Sequence, residues 1–350
     1  MSDDLLRSSQ LPGVTRFQWQ QLLGPIVVIV VLSYVISSIS ITFTFLTEGT
    51  LALLVMVLGL QVFIGNSGVL SFGQAAFAMV GGFATGLLTV PVKIKENVLD
   101  ELWEPLKAIN MGIWPSLVIA VAIGAFFAFL TGLFLMRLSG LAAGIATFAL
   151  LMVADNVFFN WRLIGPGPQV MPQVPKFGYV DESIILAVVV MVVVYLIGIS
   201  RRGRLLRATR EDPLAARALG ASVWRLRVLF FTVSGGIAAL SGAMYAHHSG
   251  AVSARDFYLG FTFTTLAMLV IGGATSMWGA VVGTIAVTAI GQVLLEFESG
   301  VTLGGFDITL PNGARGVVIA AALVAILIWR PKGITGGREF ALRLPFLNRP

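Results

Sequence analysis

The sequence predicts an all-α integral membrane protein, a polytopic helical bundle of about ten spans, some of them broken or re-entrant. Three observations lead there. Of the 350 residues 57% are hydrophobic and only 11% are charged. Soluble domains carry about 25% charged residues, so this chain has too few charges to coat a globule. Apolar runs of roughly 20 residues, the length that crosses a hydrocarbon core, recur along the chain. The basic residues bunch between those runs instead of spreading evenly.

Residues 1–23 are polar and mixed in charge and read as a cytoplasmic tail. The apolar run after them is too long for a signal-peptide core, so it is expected to stay as an anchor. Spans are expected at 24–46, 50–65, 68–90, 113–136, 140–160, 183–199, 226–247, 261–275, 278–297 and 314–329. The second, eighth and last are short enough to be tilted, broken or re-entrant. Glu48 falls in the expected outer turn between the first two. Ten crossings put both termini on one side. With the N-terminus inside, sixteen of the 23 Lys and Arg residues face inward, as the positive-inside rule requires. The outer segments 91–112 and 161–182 are too short for a separate domain. The second carries Gly165-Pro166-Gly167-Pro168, Pro172 and Pro175, so it cannot be helical throughout. The basic tail 330–350 reads as a cytoplasmic surface segment. The whole chain, 1–350, is expected to be one transmembrane domain.

The run 65–88 is odd for a span. Gly65, Gly68, Gly73, Gly81, Gly82 and Gly86 sit among Asn66, Ser67, Ser71 and Gln74. Two readings stay open. Asn66, Ser71 and Gln74 line a passage beside an unwound helix end, or small residues such as Gly82 and Gly86 let helices pack closely and neighbours satisfy the polar groups. A second cluster, Gly272 to Gly283, reads as a tight turn between close-packed helices. Asp155-Asn156 in the fifth span either faces a hydrated cavity or lies near the outer interface. His247 and His248, at the end of the seventh span, read as interfacial. No carboxylate–histidine pair is forced by spacing, and a proton-driven pump would need such a relay.

The stretch 201–227 carries eight of the basic residues, all arginine. Inside it lies a short helix with clear end signals: Asp212 as N-cap, Pro213 in the first turn, and Gly220 as a left-handed stop. Leu214, Ala215, Ala218 and Leu219 offer a small apolar face. The loop 200–225 therefore reads as a cytoplasmic handle for a second protein.

Several classes are set aside. The formal charge of +6 flanks spans and is no nucleic-acid footprint. There is no cysteine and there are only two histidines, so neither a disulfide nor a metal centre is expected, and no cofactor. No GxxxxGK[ST] run cradles a phosphate, and no Ser/His/Asp arrangement suggests catalysis, so an enzyme is not expected.

Asp212-Pro213 through Ala215-Ala216 to Gly220 resembles the "EAA" loop of ABC importer permeases. The run Gly65, Gly68, Ser71, Gly73, Gln74, Ala75, Ala76, Phe77 resembles the signature of the branched-chain amino-acid permease family. Residues 234–283 and Trp329-Arg330-Pro331-Lys332-Gly333 also fit it, so the resemblance covers roughly 20 to 335. It is to the M-type subunit.

The resemblance implies an inner-membrane permease subunit of a bacterial or archaeal ATP-driven importer for branched-chain or related small amino acids. Implied partners are a sister permease, two cytoplasmic ATP-binding subunits, an extracytoplasmic solute-binding protein and membrane lipid. Glu211, Asp212, Pro213, Ala215, Ala216, Arg217 and Gly220 are the implied ATPase-coupling residues. Asn66, Ser71, Gln74, Asp155 and Asn156 are the candidate pathway residues. The alternatives are an ion-coupled secondary transporter or channel, or the same machinery carrying urea, amides, sugars or aromatic acids.

Overall fold

The computed structural model describes residues 19–340 apart from 100, 219, 304, 305, 309, 312 and 331. The N-terminal arginines, Leu219 and residues 341–350 lie outside the described residues. Among the described residues the architecture is helical except for one short hairpin, β1 (Val301–Leu303) with β2 (Phe306–Ile308). Among the described residues eight helices are long and apolar enough to cross a membrane. The number becomes nine if one sharply bent pair is counted as a single span.

In chain order α1 is Trp19–Ser37 and α2 is Ile41–Leu60, extended by a π turn, Gln61–Gly65. The expected break at 47–49 is therefore misplaced: it falls at 38–40, and Glu48 lies inside α2. Polar side chains explain the shift. Ser40 caps α2, accepting from the Phe43 amide at 3.4 Å. Thr47 and Thr50 donate to the carbonyls of Phe43 and Leu46. Those hydroxyls are satisfied by the helix itself, so the polar stretch 47–50 stays helical.

The next helix, α3 (Gln74–Thr89), starts six residues later than the expected span, after an irregular loop at 68–73 in which Gly68 has φ +69. It bends by 113° into α4 (Val92–Val98). Short α5 (Glu104–Ala108) follows, then α6 (Ile113–Leu135), α7 (Gly140–Asn160) and α8 (Val180–Ile199). The proline-rich segment before α8 is irregular, as expected. It folds back over the chain, pairing Met171 with Val252. The arginine stretch forms α9 (Arg201–Glu211) and α10 (Pro213–Ala218), followed by α11 (Val223–Ser249). A 3-10 turn (Ala254–Phe257), α12 (Leu259–Gly272), α13 (Met277–Ser299) and α14 (Ala314–Trp329) complete the order.

At the centre is α11, packed on α3, α6 and α2. Glycine makes that possible. A Cβ on Gly242 would fall on the Ala78 carbonyl, and one on Gly81 would fall on the Ala239 carbonyl. The backbones of α3 and α11 thus touch directly, as small residues permit in a bilayer. The closest crossing is made by Gly81, not by Gly82 and Gly86, which face Phe257 and Met171. Ser234 and Ser241 of α11 donate to Gly59 and Ala52 carbonyls of α2 at 2.7 and 2.8 Å. The turn between α12 and α13 is as tight as its glycines suggest. A Cβ on Gly283 would meet the Met268 carbonyl.

The tail after α14 departs from the expected surface segment. Ile334 and Thr335 amides donate to Ile271 and Gly272 carbonyls, at 2.8 and 3.2 Å. Glu339 accepts from the Met277 and Trp278 amides, at 3.0 and 3.3 Å. It thereby caps α13, where a carboxylate meets the positive helix end. Tail residues 333–340 form a strap across the α12–α13 turn.

Candidate functional site

The site begins with α10. Asp212 accepts from the Leu214 and Ala215 amides at 2.8 and 3.0 Å, so it is the N-cap, with Pro213 in the first helical position. At the other end Gly220 has φ +82. Its amide donates to the Arg217 carbonyl, and the Ala221 amide to the Ala216 carbonyl, at 2.9 and 3.0 Å. That pair of bonds is a Schellman stop. The cap, the proline and the stop were all legible in the sequence.

The helix presents a definite face. Leu214 is 74% exposed, and Glu211, Pro213, Ala215 and Arg217 are exposed with it. Ala216 is only 4% exposed, and α10 rests on α11. Ala216 therefore seats the helix on the bundle and does not belong to its outward face. Asp212→Ala should cost about 1 kcal/mol of helix stability. Hydrogen exchange at Leu214 and Ala215 should then rise roughly fivefold.

From α10 the chain reaches the interior through α9. Arg207 donates to Asn66 Oδ1 at 2.9 Å and to the Gly198 carbonyl at 2.7 Å. Arg210 donates to the Gly65 carbonyl at 2.8 Å. Two arginines thus grip the point where α2 ends in its π turn. Such turns mark helix sites under functional constraint. Burial lowers the Arg207 pKa and raises that of Glu339, whose amide bonds and Arg207 partly oppose the rise.

Asn66 is therefore a strut in this grip. Its amide also donates to the Val62 carbonyl at 2.9 Å. Ser71 is buried in the loop, where its oxygen accepts from the Gly73 amide at 3.4 Å. The Phe72 amide donates to Thr147 of α7 at 3.2 Å. Gln74 opens α3. It is fully buried, and neither end of its side-chain amide has a hydrogen-bond partner. A buried amide left bare on both sides is rare and calls for an unseen partner such as water or a passing solute. Asp155 is half-buried with one oxygen unpartnered, and Asn156 is exposed on α7. These two sit on α7, while Asn66, Ser71 and Gln74 lie at the break between α2 and α3. The five candidates thus form two groups.

At the other end of α11 both histidines are buried within the chain. His247 lies 2.9 Å from Thr85 Oγ1 and 2.6 Å from the Pro175 carbonyl. Thr85 in turn meets Ser116 at 2.7 Å. His248 Nδ1 is 3.6 Å from Glu48 Oε2. The folded-back segment covers His247 through Pro175 and Phe177, while Phe45 and Glu48 of α2 flank His248. The carboxylate–histidine pair joins residues 200 positions apart, beyond the reach of any spacing argument.

This architecture can be compared with known proteins. The family model described as "Branched-chain amino acid transport system / permease component" matches residues 41–327. The chain belongs to this family. Among its relatives is the high-affinity branched-chain amino acid transport system permease protein LivM of Escherichia coli strain K12. It is 26% identical, over 81% of this chain and 68% of that protein. The probable LivM of Methanocaldococcus jannaschii is 23% identical over 79% of this chain and 88% of its own length. The autoinducer 2 import system permease LsrC of an Enterobacter species is 28% identical over 52% and 56%. No solved structure matches the chain. As a member of the branched-chain amino-acid permease family, the chain is a multi-pass membrane transport component.

Proposed function

We propose that this permease is one subunit of an ATP-driven importer for branched-chain or related small amino acids. It has both termini and α9–α10 in the cytoplasm. A sister permease completes the pore, two ATP-binding subunits sit beneath it, and an extracytoplasmic solute-binding protein delivers cargo. Glu211, Asp212, Pro213, Ala215, Arg217 and Gly220 form the contact with the ATPase, with Ala216 as the seat behind them. The observation that carries this reading is the chain of contacts from α10 through Arg207 and Arg210 to Asn66 and Gly65. A push on α10 is thereby delivered to the α2–α3 break, and so to Ser71 and Gln74 at the head of the pathway. Asp155 and Asn156 are the candidates along α7.

The test is uptake of leucine into proteoliposomes holding the full complex, with the ATPase sites inside or outside. Uptake is expected only with ATP on the α10 side. Uptake unchanged without ATP would defeat the proposal. The LsrC match favours a wider range of cargo in this fold, and binding assays on the partnering solute-binding protein would name it.

A second reading, ion-coupled transport, draws on one observation, the Glu48–His248 pair. It requires uptake by the chain alone under a pH gradient, lost in Glu48→Gln. The ATP-driven reading expects no gradient-driven uptake by either form.

A further inference from the structure

On the arginine-rich end lies a cavity of 330 Å³, between the π turn, α8, α9 and the tail strap. Its polar groups differ in character from those of the α2–α3 break. Gln61 is 6% exposed, lines the cavity, and its Oε1 has no hydrogen-bond partner. A buried acceptor without a donor is exceptional in a folded protein. Arg207 lines the same cavity. A guanidinium has five N–H groups, and the Arg207 bonds to Asn66 and Gly198 occupy two of its nitrogens. Among the described residues no carboxylate stands at ion-pair distance from it. Glu339 adds a negative charge to the wall. Val194, Ile199 and Met277 supply apolar surface.

We propose that this cavity binds a small zwitterion, with its anionic group on Arg207 and its primary ammonium on Gln61 and toward Glu339. The chemistry follows from what the walls lack. Arg207 has donors to spare and, among the described residues, no carboxylate at ion-pair distance, Glu339 acting on it only from farther off, which suits a carboxylate or phosphate. Gln61 has an acceptor to spare, which suits an ammonium. The aliphatic wall suits a short hydrocarbon between or beside them. Two sources carry this chemistry: a free aliphatic amino acid and the headgroup of an ethanolamine phospholipid. The site is separate from Gln74, and the proposal stands whether or not transport is driven by ATP.

The experiment is calorimetric titration of the purified chain in detergent with leucine and, in parallel, with O-phosphoethanolamine. One of the two should bind saturably, and which one names the source. Leucinamide lacks the carboxylate and 4-methylpentanoate lacks the ammonium, so each should bind at least tenfold more weakly than leucine if the amino acid is the ligand. Gln61→Leu removes the side-chain amide, its unpartnered acceptor included, and should weaken the bound probe at least tenfold. Gln61→Met serves the same purpose if the leucine variant does not fold. Failure of both probes to bind would overturn the proposal. So would equal binding by Gln61→Leu or Gln61→Met, or leucine binding matched by its two truncated analogues.

Discussion

Gly220→Val is expected to lower ATP-driven uptake at least tenfold while membrane insertion survives. The argument is conformational. Gly220 sits at φ +82, and a Cβ there would meet nothing within 4 Å. The cost therefore comes from forcing a β-branched residue into the left-handed region, about 1–3 kcal/mol. The element that must absorb it is the six-residue α10. A helix so short has no independent stability and persists through its caps and its seat on the bundle. Loss of the Schellman stop frees the Ala216 and Arg217 carbonyls and lets the exposed face turn. Gly220→Asn, which tolerates the left-handed region, should keep most of the activity. The check is uptake alongside ATP hydrolysis in the reconstituted complex: hydrolysis should persist in the valine variant and lose its response to substrate delivery. Normal coupled uptake would remove Gly220 from the coupling element.

Gly242→Val is expected to unfold the centre of the bundle, with a loss greater than about 3 kcal/mol. A Cβ at Gly242 would fall on the Ala78 carbonyl, and Gly81 meets the Ala239 carbonyl in the same way. Backbone cannot swing aside as a side-chain tip can, so α3 and α11 must separate. That would also break the two serine bonds from α11 to α2. Gly260→Val is the control, because a Cβ there meets nothing within 4 Å. Thermal unfolding in detergent should show a large drop for Gly242→Val and little change for Gly260→Val.

Local signals were legible in the sequence, and long-range ones were not. Asp212, Pro213 and Gly220 act through their own backbone, so residue type and spacing sufficed. The membrane class followed from composition for the same reason. The break between α1 and α2 was misplaced because Thr47, Glu48 and Thr50 look like a polar turn. The two hydroxyls are instead satisfied within the helix, and the Glu48 carboxyl lies inside α2 facing His248 at 3.6 Å. Ala216 was placed among the coupling residues by the family resemblance, and a sequence motif does not tell which side of a short helix faces in. Arg207 and Arg210 were counted as topology markers. Their grip on Asn66 and Gly65 joins positions more than 140 residues apart, and only the fold brings them together. The strap ending at Glu339 was missed because a polar, glycine-punctuated tail reads as surface until the amides it caps are seen.

Labelling of a single cysteine at position 214 tests the central claim most directly. The chain has no cysteine of its own, so Leu214→Cys would carry the only thiol, on the exposed face of α10. A membrane-impermeant maleimide should label it in inverted membrane vesicles and not in intact spheroplasts. Co-expression of the ATP-binding subunits should protect it. Labelling from the outer surface, or labelling unchanged when those subunits are bound, would contradict the role given to α10.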